Sequence, residues 1–329
     1  MLRCAFFVSL NWRRLRDSAT PPTRRMIPFL LFGLAFVCLT GGTPVQDATG
    51  AEVAVLPADA AYRAATVAED LTFPANAEAA GQLSSPRMAL LKPAGEGPFP
   101  ALVIMHQCSG PKEAVVSWAH KAVARHYAVL LVNSLGPRGV MSVCDGPQAG
   151  VNLFRGTRDA LQAAEHLRHQ PFVDNDRIAL LGFSWGAMVA LLASSPHYVE
   201  AMRAGPGFSA VASFYPGCFR IFPPNGRPPF DPLNDDIARP LLVLMGGEDT
   251  ETPASDCLDK LEALGNAGVP IEWLLYPQAT HCWDCKQFNG FSKIDARGHH
   301  VEYRFREDVT QDSENRLFAF LDRTMFRKN

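Results

Sequence analysis

The strongest fold signal in this 329-residue chain is the segment Asp176-Arg-Ile-Ala-Leu-Leu-Gly-Phe-Ser-Trp-Gly-Ala-Met-Val-Ala-Leu-Leu-Ala193. Its apolar start, 178–181, predicts a buried strand, and its small apolar residues from Ala187 onward predict a helix. Between them lies Gly182-Phe-Ser-Trp-Gly186, the G-x-S-x-G pattern of a nucleophile elbow in the strand–turn–helix context that it requires. Glycines flank the serine because such a turn strains the dihedral angles and leaves no room for bulk. The segment therefore predicts Ser184 as a nucleophile, the alternative being an ordinary tight turn.

The rest of the chain alternates apolar strands with helical patterns. The predicted strands are 88–92, 101–105, 128–132, 178–181, 210–215, 241–245 and 271–276, and the predicted helices are 112–126, 152–170, 187–195, 255–267 and 312–326. Strands that are apolar throughout are typical of parallel sheets, which are covered on both faces. The alternation predicts the α/β class, with a doubly wound, mostly parallel sheet and helices on both faces. We expect one domain over 86–329, preceded by 52–85 as an extension outside the core sheet.

Chemistry in such a sheet is expected beyond the carboxyl ends of its strands. Asp249 and His281 each follow a predicted strand there, as Ser184 does. A serine hydroxyl needs an imidazole to take its proton, and the imidazole needs a carboxylate to fix its tautomer. The order Ser, Asp, His is that of the α/β-hydrolases. We therefore predict Ser184, Asp249 and His281 as a catalytic triad, with Glu248 as the rival carboxylate.

Two further features bear on this site. An oxyanion hole would take one backbone N–H from Trp185, the residue after the nucleophile. A second would come from the loop His106-Gln-Cys-Ser-Gly110, with Cys108 as the favoured donor and Gln107 as the alternative. His281 could instead ligate a metal, because Cys282-Trp-Asp-Cys285 adjoins it. Zinc normally needs four ligands and only two histidines follow nearby, so we predict no metal and no other cofactor.

Charge and composition narrow the partners. The formal net charge is −2, and residues 1–51 carry six basic and two acidic residues, which leaves 25 basic against 31 acidic residues in the remainder. The sequence has no stripe of basic residues of the kind that binds a nucleic acid or a membrane surface. The expected partner is a small-molecule substrate, and the sequence leaves the oligomeric state open.

Residues 1–51 have the layout of a targeting segment. Arg24-Arg25 precedes an apolar run, 26–40, and Thr49-Gly-Ala51 offers small residues for cleavage, as in a secretory signal. The run is shorter than the roughly 20 residues that a transmembrane helix needs. A twin-arginine signal and a lipidated Cys38 are alternatives that match their motifs poorly. We expect a periplasmic or secreted protein with no stable membrane span after processing.

Several separate motifs together resemble the dienelactone hydrolase family of α/β-hydrolases, in its exported branch. The matching residues are His106-Gln-Cys-Ser-Gly110, Ser134-Leu-Gly-Pro-Arg-Gly139 with Cys144, Gly182-Phe-Ser-Trp-Gly186, Tyr215-Pro-Gly-Cys218, and Gly247-Glu-Asp249 with Pro253 and Cys257. The resemblance implies hydrolysis of an ester or lactone through an acyl-enzyme, without metal. It covers about Pro86 to Arg327.

Three positions qualify that resemblance. The best-known family members use cysteine as nucleophile, so Ser184 favours general ester chemistry over strict dienelactone specificity. Gln107 stands where glycine or glutamate is usual, and this departure puts an accessory contact to the nucleophile in doubt. Arg138 matches an arginine that holds the substrate carboxylate in family members, although it could equally be a loop arginine that caps a helix end.

Six cysteines remain after the leader is removed, an even number in a compartment where disulfides persist. Their placement at neighbouring strand ends favours Cys108–Cys144 and Cys218–Cys257, which leaves Cys282–Cys285 as a tight ring after His281. The alternative is free thiols buried as small apolar residues.

The Pro-rich segment, 216–232, cannot form regular structure and is expected to cover the mouth of the site. The sequence thus predicts a serine hydrolase for carboxylic esters or lactones. A peptidase or thioesterase would share the same triad. A non-catalytic binding protein on a hydrolase scaffold is the alternative from another class.

Overall fold

The computed structural model of the protein describes residues 56–224 and 226–326, so the predicted targeting segment 1–51 lies outside the described residues. One seven-stranded sheet organises these residues. Its strands are β1 (Ala89–Leu91), β2 (Phe99–Met105), β3 (Ala128–Leu131), β4 (Val173–Phe183), β5 (Ala210–Phe214), β6 (Leu241–Gly246) and β7 (Ile271–Tyr276). Their order is β1-β3-β2-β4-β5-β6-β7, with β1 antiparallel to β3 and the other pairs parallel. The predicted doubly wound, mostly parallel sheet is confirmed.

Helices cover both faces of this sheet. They are α1 (Ala58–Ala65), α2 (Glu113–Ala124), α3 (Leu153–Arg168), α4 (Trp185–Ala193), α5 (Pro196–Met202), α6 (Ser255–Asn266) and α7 (Glu307–Met325). One apolar core packs the sheet against α3, α4 and α6, and the other packs it against α2 and α7. Alternate residues of a strand serve the two cores, as Val103 and Ile104 do in β2. Among the described residues, no helix combines the length and the apolar character needed to cross a membrane.

The sequence prediction did not include α1, α5 or the two-stranded hairpin of β8 (Ser292–Ile294) and β9 (His300–Glu302). Helix α1 belongs to the extension before the sheet, and it packs against α3 and α5. Arg155 of α3 anchors this extension, because its buried guanidinium donates to the Ala65 and Ala68 carbonyls and to Asp70. The extension is therefore part of the same folded unit as the sheet.

The turn between β4 and α4 has the predicted elbow geometry. Ser184 has φ 54 and ψ −112, a strained conformation for a residue with a side chain. A Cβ on Gly182 would lie 2.0 Å from the Gly186 carbonyl oxygen, and one on Gly186 would lie 2.6 Å from the His106 carbonyl oxygen. Both positions therefore require glycine, because strand and helix pass too closely for any side chain.

Candidate active site

Ser184, His281 and Asp249 form one hydrogen-bonded chain beyond the carboxyl ends of β4, β6 and β7. The Ser184 Oγ lies 2.9 Å from His281 Nε2, and His281 Nδ1 lies 2.8 Å from Asp249 Oδ2. All three residues are buried, with 7%, 2% and 4% of their surface exposed. The structure thus brings together the three side chains that were predicted from the sequence. Asp249, and not Glu248, faces the imidazole. Glu248 pairs with Arg304 at the surface instead.

Asp249 is held by the start of the loop that follows it. The backbone N–H groups of Glu251 and Thr252 donate to its Oδ1 at 2.9 and 2.8 Å, and the Thr252 hydroxyl donates to Oδ2 at 2.8 Å. The same hydroxyl lies 3.1 Å from His281 Nδ1. These donors fix the carboxylate in the orientation that directs Oδ2 to the imidazole.

His281 lies in a network that its sequence context did not reveal. Burial favours the neutral imidazole, but the carboxylates of Asp249 and Glu251 outweigh it and raise the pKa of His281 above its usual range. The ring packs edge-on against Tyr215, with 4.8 Å between centroids. A general base must be unprotonated, so for a histidine in that role this shift predicts an acid limit of activity above the pH expected of a free histidine.

Asp284 fixes the loop that carries His281 to the neighbouring elements. This buried carboxylate accepts hydrogen bonds from Trp118 Nε1 at 2.7 Å and from the Tyr215 hydroxyl at 2.9 Å. Burial raises the pKa of Asp284, although both hydrogen bonds oppose the shift. Trp118, Tyr215 and Asp284 come from α2, the end of β5 and the loop after β7, so no local sequence pattern links them.

The predicted oxyanion donors lie on two sides of the elbow. Trp185 is the first residue of α4, where a helical N–H has no intrahelical acceptor. Gln107 and Cys108 lie directly after His106, whose carbonyl oxygen accepts from the Gly186 N–H at 3.1 Å and ties this loop to the elbow. The Gln107 side chain approaches the Tyr215 hydroxyl and the sulfur atoms of Cys282 and Cys285.

His106 braces the predicted oxyanion loop as a neutral imidazole. Its Nε2 accepts the Ser134 N–H at 3.0 Å, which leaves the proton on Nδ1 to donate to the Gln107 carbonyl at 2.6 Å. The ring stacks on Trp185 and is fully buried. Burial lowers the pKa of His106 to about 4. Its position supports a bracing role in the loop.

This shift predicts an acid-sensitive fold. The unfolded chain binds a proton on His106 near pH 6.5, whereas the folded chain does so only near pH 4, so stability falls as the pH drops between these values. The loss attributable to His106 should reach about 3 kcal/mol. Urea unfolding of the wild type and His106→Gln at pH 7 and pH 4.5 measures it. Equal losses in both proteins would contradict the assignment.

Ser184 opens into a cavity of about 890 Å³. Its lining is largely apolar and includes Phe154, Trp185, Met188, Phe219, Ile221, Phe222 and Phe230. Several of these residues come from the Pro-rich segment, which the sequence predicted at the mouth of the site and which lines the same cavity as Ser184. Helix α1 and the β8–β9 hairpin supply further wall through Ala60, Ala64, Asp295 and Arg297.

The proposed substrate contact of Arg138 is not supported by its position. Its guanidinium makes two hydrogen bonds to Asp159, at 2.7 and 2.9 Å, and donates to the carbonyls of Ser134 and Glu69. Asp159 is fully buried and also pairs with Arg155. Arg138 does not line the cavity. It is thus a structural arginine that joins its loop to α3 and to the extension.

The structure joins the cysteines in the three predicted pairs. The structure has disulfides between Cys108 and Cys144, Cys218 and Cys257, and Cys282 and Cys285, with Cα–Cα distances of 4.8, 5.1 and 5.3 Å. Cys282, Asp284 and Cys285 are the three described residues close enough to share a metal ion. Their ligand atoms are already used in the disulfide and in the bonds to Trp118 and Tyr215.

The chain belongs to the dienelactone hydrolase family, whose model matches residues 87–322. Members of this family hydrolyse esters or lactones, so the protein is a hydrolase of the α/β-hydrolase fold. Two relatives named as carboxymethylenebutenolidases share 24% identity with it. The one from Methylorubrum extorquens aligns over 82% of this chain and 87% of its own length. The one from Synechocystis aligns over 63% of this chain and 86% of its own length.

Solved structures show the same fold. An esterase from Thermogutta terrifontis, in a structure with butyrate bound, superposes with a TM-score of 0.52 and 15% identity, over 74% of this chain and 91% of its own. An α/β-hydrolase from a Medee basin deep-sea metagenome library gives a TM-score of 0.50 and 21% identity, over 70% of this chain and 86% of its own.

Proposed function

We propose that the protein is a serine hydrolase that cleaves carboxylic esters or lactones through an acyl-enzyme. The observation that carries this proposal is the unbroken chain from Ser184 Oγ through His281 to Asp249, at the wall of a cavity large enough for a substrate. The strained backbone of Ser184 supports it, because such strain persists where the surrounding structure holds a side chain for chemistry.

In the first half-reaction the Ser184 oxygen attacks the carbonyl carbon while its proton passes to His281 Nε2. The negative oxygen that forms would be stabilised by the N–H of Trp185 and by an N–H of the Gln107–Cys108 loop. Collapse of this intermediate breaks the bond to the alcohol oxygen, which takes the proton from Nε2 as it leaves. Asp249 stabilises the imidazolium between these two transfers.

The cavity favours an apolar substrate. Aromatic and aliphatic side chains dominate its wall, and burying their surface against a ligand is favourable. We therefore expect esters with bulky apolar groups to be better substrates than acetate esters. The triad itself does not distinguish esters from thioesters or peptides, so a panel containing all three classes identifies the bond that is cleaved.

Covalent labelling tests the nucleophile directly. A fluorophosphonate should react with the purified protein at one site, and peptide mass spectrometry should locate the adduct on Ser184. His281→Ala should slow labelling strongly, because the serine then has no base. Adducts on another residue, or none under conditions that label a known serine esterase, would contradict the proposal.

We also propose that the protein is exported. The signal-like layout of residues 1–51 and the three disulfides support export. Cell fractionation followed by peptide mapping of the non-reduced protein tests it. Recovery in the cytosol would contradict export, and alkylation of Cys108 or Cys144 in the folded, exported protein would contradict the disulfide between them.

A further inference from the structure

A second carboxylate lies beside the catalytic imidazole, on the side that faces the nucleophile. The Glu251 Oε2 is 3.9 Å from His281 Nε2, the nitrogen that contacts Ser184. Asp249, by contrast, binds the opposite nitrogen, Nδ1. Glu251 also lines the cavity, although its side chain is only 14% exposed. Its carboxylate therefore lies where a molecule in the cavity would approach His281 Nε2.

Three hydrogen bonds hold Glu251 in this position. Its backbone N–H donates to Asp249 Oδ1, which fixes it relative to the triad. The Tyr303 hydroxyl donates to Oε2 at 2.5 Å, and Lys293 Nζ donates to Oε1 at 2.7 Å. Lys293 belongs to β8, and Tyr303 follows β9. The β8–β9 hairpin thus orients the carboxylate and provides a cation that compensates its charge.

The carboxylate is ionised at neutral pH. Burial opposes ionisation, but His281, Lys293 and Tyr303 together lower the pKa of Glu251 below its usual range. An ionised carboxylate accepts hydrogen bonds and does not donate them. Oε2 accepts from Tyr303 and retains further lone pairs, so it can accept from a second donor in the cavity.

The spacing suits a water molecule. A separation of 3.9 Å between Nε2 and Oε2 is shorter than two hydrogen bonds of about 2.8 Å placed end to end. One water oxygen can therefore lie at hydrogen-bond distance from both atoms. Once the alcohol has left, such a water would lie beside the acyl group on Ser184.

We propose that Glu251 is a positioning residue for the second half-reaction, in which it holds the attacking water against His281 Nε2. This inference rests on the proposed serine mechanism. One water proton passes to Nε2 as the water oxygen bonds to the acyl carbon. The bond from that carbon to Ser184 Oγ then breaks, and Oγ takes the proton from Nε2. The other water proton points to Glu251 during attack and stays on the product, which leaves as a carboxylic acid and ionises in solvent.

Separate measurement of the two half-reactions tests this role. Stopped-flow traces with a p-nitrophenyl ester give the acylation and deacylation rate constants for the wild type, Glu251→Gln and the matched control Glu248→Gln. Glu251→Gln should slow deacylation about tenfold and acylation less than about twofold, because a neutral amide is a weaker acceptor for the water proton and the water attacks only in deacylation. Its kcat and KM should therefore fall together. Glu248→Gln should match the wild type.

The pH profile is a second readout. His281 faces Asp249, Glu251, Lys293 and Asp284, with the Tyr215 and Tyr303 rings packed against it. Neutralising Glu251 removes one of the two carboxylates that raise the pKa of His281, so the acid limb of kcat/KM should move to lower pH. This shift tests whether the charge of Glu251 reaches the imidazole, whereas the selective loss of deacylation tests its role toward the water.

Two results would overturn the inference. One is deacylation within twofold of the wild type in Glu251→Gln; the other is an equal fall in acylation and deacylation with KM unchanged. If Glu251→Gln does not fold, Glu251→Asp replaces it; withdrawal of the carboxylate should slow deacylation selectively, and an unchanged rate overturns the inference. A failure of the serine mechanism itself is recognised separately, because Ser184→Ala would then remain active.

Discussion

Replacing Ser184 with alanine should reduce kcat/KM for a p-nitrophenyl ester by about 10⁴- to 10⁶-fold. Without Oγ there is no atom to form the acyl-enzyme, and His281 has no hydroxyl proton to take. The fold should be retained, because alanine keeps the Cβ at the strained apex and removes only a group that faces the cavity. Initial-rate kinetics and a thermal melt of the same sample measure both effects.

Ser194→Ala is the matched control for that variant. Ser194 directly follows α4, is fully buried, and donates to the Leu191 carbonyl without lining the cavity. Its removal should leave kcat/KM within about twofold of the wild type and cost about 1 kcal/mol of stability. Turnover by Ser184→Ala at the level of this control would exclude a serine mechanism.

Asp249→Asn should lower kcat by about 10³- to 10⁴-fold while the protein stays folded. An amide can present its NH₂ group to His281, which then places its own proton on Nε2 and cannot accept the one from Ser184. The backbone donors of Glu251 and Thr252 make this change unfavourable for the loop as well, because they now face a neutral side chain. The kcat should fall much more than KM rises.

The control for this variant is Glu248→Gln, which makes the same acid-to-amide change one residue earlier in the chain. Glu248 is 45% exposed and pairs with Arg304, away from His281. The two variants also distinguish the rival carboxylates that the sequence left open. A greater loss in Glu248→Gln than in Asp249→Asn would show that Glu248, and not Asp249, is the third member of the triad.

The triad positions were accessible from sequence because each lies at the end of an apolar strand. Parallel strands deliver their carboxyl ends to one edge of a sheet, so Ser184, Asp249 and His281 needed only the strand pattern to be placed near one another. The same argument predicted the Cys108–Cys144 and Cys218–Cys257 pairs, and Cys282 and Cys285 remained as the third. Local pattern and general topology were enough for these residues.

Glu251, Asp284 and Tyr303 could not be identified in the same way. Each gains its role from partners far along the chain, such as Trp118 for Asp284, and no periodicity records such contacts. Arg138 shows the opposite case. Its motif matched a substrate-binding arginine, but Asp159, on a helix 21 residues away, engages the guanidinium. Sequence pattern places backbone elements, whereas side-chain partners depend on tertiary packing.

Helix α1 has a consequence for how this enzyme can diversify. It forms part of the cavity wall, yet it precedes residue 87, where the match to the family begins. The proposed triad lies within the matched region, while part of the cavity wall lies before it. Changes in the extension can therefore alter which molecules are admitted and leave the reactive groups untouched. In the evolution of this protein, the substrate preference can thus change while the reaction stays the same.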